Sequence, residues 1–110
     1  MSARLSRVRK ICLALPETSE QETWGDVTFR VAGKMFAITG YDAKGMTVKA
    51  TPEDQTVLVA SSPHIEIASY VGRYGWVSLT LGKVPWDEVD ELVRDSYRLV
   101  APKRLAKQLD

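Results

Sequence analysis

The chain has 110 residues, of which 45% are hydrophobic and 26% charged, and a net charge of +1. That length fits a single domain spanning 1–110 with a core that needs no staple, and the composition excludes a disordered chain. A charge so close to zero sets the chain apart from strongly basic nucleic-acid binders, so any such role has to rest on local distribution.

Leu5, Val8, Ile11, Cys12 and Leu15 recur at helical spacing, which predicts an amphipathic first helix closed by Pro16. Arg4, Arg7, Arg9 and Lys10 make that helix basic. An acidic stretch with Glu17, Glu20, Glu22 and Asp26 follows and reads as a solvated loop. Val27, Phe29 and Val31 then alternate with Thr28 and Arg30, the period of a strand, and Gly33-Lys34 supplies a hairpin turn before a return strand over 35–39. After a second turn over 40–45, Met46, Val48 and Ala50 alternate inward against Thr47 and Lys49.

Thr51-Pro52-Glu53-Asp54 is a helix start: a capping hydroxyl, a proline in the first turn, and two acids where the helix dipole favours them. This short helix stops by Pro63, and two strands follow, over 64–70 and 76–81. The last long helix begins at Pro85 and carries the stripe Trp86, Val89, Leu92, Val93, Ser96, Tyr97 and Val100. Pro102 closes it, and a basic tail adds a further turn. The expected fold class is therefore α+β, an antiparallel sheet with helices packed on one face. The other sheet face is then left to solvent or a partner.

No nucleophile elbow, Walker loop or dinucleotide fingerprint is present, so no catalysis and no cofactor are expected. Gly72 and Gly75 read as a turn rather than a phosphate cradle. His64 and Glu66 share one strand face, and read as an exposed polar pair rather than an acid–base couple. Cys12 lies on the buried stripe of the first helix and reads as a small core residue. Being the only cysteine, it forms no internal disulfide, which fits a reducing compartment. No apolar run reaches the length of a membrane span and the N-terminus lacks a signal-peptide pattern, so a cytoplasmic monomer is expected. A metal site on the Glu17–Asp26 carboxylates is the least favoured reading, since their spacing matches no calcium loop.

A different constellation spreads over the sheet. If Phe29, Val48 and Leu79 face the core, Arg30 and Lys49 point away together with Trp76 or Ser78, while Lys34, Lys44 and Arg73 lie in or near turns. Cations beside aromatics are what a nucleic-acid surface uses, for phosphates and for base stacking. The expected interface residues are Arg30, Lys34, Lys49, Arg73, Tyr74 and Trp76. The alternative partner is another protein on the same open face, with Tyr74 and Trp76 as anchors.

LALPET, WGDVTFRVAGKMFA, the Lys49–Pro52 step, GRYGWVSL and DSYRLV occur in this order along almost the whole chain. Together they resemble the MmcQ/YjbR family. The resemblance implies a fold related to the CyaY/frataxin type, DNA binding through a "double wing" of β-hairpins, and no enzymatic activity. Gly33, Lys34, Phe36, Lys49, Pro52, Trp76, Val77, Ser96, Tyr97, Leu99 and Val100 are the matching positions. The fold type also raises iron binding, which needs an acidic first helix; here that helix is basic and would repel Fe²⁺.

Overall fold

The computed structural model describes residues 3–109. A six-stranded antiparallel sheet in the order β1-β2-β3-β4-β6-β5 carries all the helices on one face. Helix α1 (Ala3–Leu13) buries Leu5, Val8 and Cys12, the stripe expected of it. Strands β1 (Thr18–Thr23), β2 (Asp26–Val31), β3 (Lys34–Gly40) and β4 (Gly45–Val48) form a four-strand meander. Helix α2 (Pro52–Ser61) leads to β5 (Ile65–Ile67), and a 3-10 turn over Gly72–Tyr74 leads to β6 (Val77–Thr80). Strand β6 inserts between β4 and β5. Helix α3 (Trp86–Val100) lies against β3 and β4, and the basic tail forms α4 (Lys103–Ala106).

The acidic stretch is an edge strand, not a loop. Strand β1 has no apolar residue to announce it, and its pairing with β2 places Glu20 and Glu22 opposite Phe29 and Val27, on the helix side. There Glu20 grips the Arg9 guanidinium of α1, and Glu22 accepts the Tyr41 hydroxyl at 2.6 Å. Glu17 pairs with Arg104 at 2.9 Å, and that guanidinium holds its carboxyl below the usual range. Alternation and these separate partners scatter the carboxylates. Among the described residues no group of three or more His, Cys, Asp and Glu is placed to hold a metal ion.

The β2–β3 turn is one residue earlier than the Gly33-Lys34 pair: Ala32 and Gly33 form it, with φ of 51° and 77°. Two successive left-handed residues give the primed turn whose twist matches the strands. Lys34 thereby becomes the first residue of β3, paired with Val31. Thr51 caps α2 by accepting the Asp54 amide at 3.1 Å, as expected.

One core joins α1, α3, α4 and the inner face of the sheet. Phe36 meets Tyr97 edge-on at 5.5 Å, and the Tyr97 hydroxyl donates to the Pro16 carbonyl at 2.6 Å. Ser96, fully buried, donates to the Phe36 carbonyl at 2.6 Å and accepts the Lys49 amide at 2.9 Å. Each of these bonds uses a hydroxyl on the apolar face of α3 to fix a backbone group that the sheet ladder leaves unpaired.

Candidate nucleic-acid interface

The outer sheet face carries a row of mostly polar groups, with Ile38 the exception. Register aligns Gln21, Thr28, Ile38, Thr47, Ser78 and Glu66 across the six strands, with Thr47 and Ser78 hydroxyls 3.1 Å apart. One residue pair further toward the Ala32–Gly33 turn, Arg30 stands opposite Met35 on this face. Continuing the β4–β6 register puts Lys49 opposite Trp76 at the same end.

Trp76 corrects the expectation: only 8% of its surface is exposed, so its ring offers no stacking platform. Alternation assigns it to the face away from the core, but the loop between β5 and β6 closes around its strand. The Trp76 carbonyl accepts the Ala68 amide at 3.2 Å and the Gln55 side chain of α2 at 2.9 Å. Arg30 is half-buried and lies along its own face, 3.4 Å from Thr28, Thr23 and the Gly33 carbonyl. Bonds of that length are weak and release easily.

The remaining expected residues do gather. Gly75, at φ 96°, exchanges backbone bonds that bring the 3-10 turn against β4's end: the Ala50 amide donates to the Gly75 carbonyl at 3.1 Å. This sets Arg73 and Tyr74 beside Lys49. The Arg73 guanidinium covers the Tyr74 ring at 4.9 Å, and both are exposed. Lys34 is exposed at the same end of the sheet, on the margin nearer the helices.

Sequence reading missed Tyr70. It is 97% exposed and left-handed, with φ 63°, on the loop that leads into the 3-10 turn. A bulky residue held in that region and left in water costs free energy without packing in return. The signal in the sequence was a bulky aromatic set between Ser69 and the turn at Gly72. Trp24, 98% exposed on the β1–β2 turn, is a second such aromatic at the opposite end of the sheet.

Charge is unevenly distributed. A groove between α2 and α3 holds Asp54, Asp87, Glu88, Glu91 and Asp95 against Lys49 and Arg98. With those seven side chains net −3 in a chain of +1, the rest of the molecule carries +4. Near-neutrality overall therefore coexists with a cationic remainder.

The alternative chemistry finds no geometry. The His64 amide donates to Ser62 and its carbonyl joins the β5–β6 ladder, while Glu66 stands opposite Ser78; no bond links the His64 and Glu66 side chains. Cys12 is fully buried, and burial, followed by Glu20 and Asp90, pushes its thiol well up. Its thiol is expected to react with an aromatic disulfide reagent only after denaturation; rapid reaction in native buffer contradicts that. Among the described residues no helix is long and apolar enough to cross a membrane.

A family model described as YjbR matches residues 13–99. Among solved structures the chain is similar to a Deinococcus radiodurans protein with a DUF419 domain, at 28% identity and a TM-score of 0.81, over 96% of this chain and 86% of that one. It is also similar to a Pseudomonas syringae protein, at 20% identity and a TM-score of 0.68, over 91% and 99% of the two chains, a likeness of fold alone. No curated protein matches.

Proposed function

The chain belongs to the YjbR family, and from that premise we propose a domain that binds nucleic acid, without catalysis, through the sheet end bearing Lys34, Lys49, Arg73, Tyr70 and Tyr74. The observation that carries this reading is the meeting of three cations and two exposed tyrosines on one end of the sheet. Lysine and arginine take phosphates, and the tyrosine rings offer faces to unstacked bases, which favours single-stranded segments over duplex. Arg30 joins them by giving up its long bonds along β2. Of these residues only Lys49 borders the acidic α2–α3 groove, so a strand that keeps to the outer sheet face meets least repulsion.

If about four phosphates are neutralised, affinity for a labelled single-stranded DNA falls roughly a hundredfold between 50 and 200 mM salt. Lys49→Glu is expected to weaken binding and flatten the salt slope by about one unit or more, and Tyr70→Ala to cost about 1–3 kcal/mol of binding with the slope kept. Anisotropy titrations read both. Absence of binding at 50 mM salt, or binding indifferent to salt and to Lys49→Glu, overturns the proposal.

A further inference from the structure

The α2–α3 groove encloses about 850 Å³, and of its lining the nucleic-acid reading uses only Lys49. Its floor is apolar: Val48, Ala50, Leu58 and Leu92 line it, and Val57 and Leu99 stand exposed on its two walls. Helix α2 buries none of its residues fully, although it lies beside the core. It is held by half-buried Leu58 and Val59, and by Gln55 reaching the Gly72 and Trp76 carbonyls. An uncovered apolar strip thus runs between two helices, and acids rim it. Glu88 and Glu91 form no ion pair among the described residues, whereas Asp95 is already held by Arg98.

We infer that this groove docks a basic amphipathic α-helix of a partner protein. Charge complementarity selects the sign: five carboxylates against Lys49 and Arg98 leave the apolar strip's rim net negative, which repels anions and suits lysine and arginine flanking a leucine-type stripe. The walls select the shape. The backbone groups of α2 and α3 are spent within the helices, so an added strand finds no ladder to join, whereas side chains at i, i+3, i+4 and i+7 fit between two helices. A compact ligand is disfavoured because the polar groups are rim carboxylates: among the described residues no buried polar side chain stands without a partner to orient it. The length fits as well, since ten residues of α2 present about 15 Å, nearly three turns of a docked helix.

The test is a labelled leucine–lysine peptide of about four helical turns with leucines at helical spacing, set against a scramble of the same composition. The patterned peptide is expected to bind at least about tenfold more tightly. Val57→Ser with Leu99→Ser is expected to weaken it by about tenfold or more, and Glu88→Lys with Glu91→Lys to abolish it. Because Val57, Leu99 and Glu91 are exposed and Glu88 is only half-buried, thermal melting is expected to stay near that of the parent protein. Binding of single-stranded DNA at the sheet end is also expected to survive the apolar pair, which keeps the two surfaces separable.

Equal binding of patterned and scrambled peptides, or indifference to the apolar pair, means unspecific attraction to acids and overturns the inference. Displacement of the peptide by spermine at comparable concentration assigns the groove to a small polycation and also overturns it. So does a dimer in sedimentation that the apolar pair dissolves, which assigns the groove to a second copy.

Discussion

Gly75→Ala is expected to lower stability by about 3–5 kcal/mol, roughly 10–20 °C in melting temperature for a domain of this size. The cost has two sources. Gly75 sits at φ 96°, a region that side chains rarely adopt, and a Cβ there would stand 2.2 Å from the Ala50 carbonyl oxygen. That neighbour is backbone and cannot swing aside. The variant must open the Ala50–Gly75 bond and push the 3-10 turn away from β4, which separates Arg73 and Tyr74 from Lys49. Single-stranded DNA binding should therefore fail below the melting transition, where the molecule is still folded. Gly33→Ala is the control, because its φ is also positive at 77° but nothing lies within 4 Å of the added carbon. It should cost only the backbone term, about 1 kcal/mol. Coincident melting curves for the two variants would show that the close approach at Gly75 has been misread.

Ser96→Ala is expected to cost about 2–4 kcal/mol in a urea titration, far more than the loss of one small hydroxyl implies. The side chain satisfies two buried backbone groups at once, the Phe36 carbonyl and the Lys49 amide. Phe36 lies next to the irregularity between β2 and β3, and Lys49 lies just beyond the end of β4, so neither has a ladder bond to fall back on. Alanine leaves both unpaired at a fully buried position. Faster hydrogen exchange at the Lys49 amide should accompany the loss. A change below about 0.5 kcal/mol would mean that β3 and β4 find other partners.

Both effects arise where sequence legibility ended. Three elements of the core were readable because their burial has a clean period: Leu5, Val8 and Cys12 on α1, Val89, Leu92, Val93 and Tyr97 on α3, Val77 and Leu79 on β6. Thr51 and Pro52 announced α2 through capping chemistry that acts locally. Strand β1 was hidden because an edge strand can satisfy its inner side with Glu20 and Glu22 bound to Arg9 and Tyr41, leaving no hydrophobic alternation to see. Trp76 shows the limit of a two-residue period, which assigns a side chain to a face but says nothing of what lies over it. Lys49, Arg73 and Tyr74 were legible as residue types, and their approach depends on Gly75 against Ala50, a contact across the chain. The groove was least visible of all. Its acids and its apolar floor come from α2, α3 and the end of β4, and only packing brings them into one strip.

The insertion of β6 between β4 and β5 also sets an order in time. Strands β1 to β4 can assemble by neighbouring turns, each closing a short loop, with Trp24-Gly25 and Ala32-Gly33 already twisted for the purpose. The β4–β6 seam instead joins Val48 to Val77 across α2, β5 and the 3-10 turn, and the chain entropy of that longer closure is regained only when the ladder is complete. The cationic sheet end straddles this seam, with Lys49 on one side and Arg73 on the other. The surface proposed for nucleic acid is thus expected to form in the last steps of folding, and a molecule that has opened only at the seam would keep its meander but lose that surface.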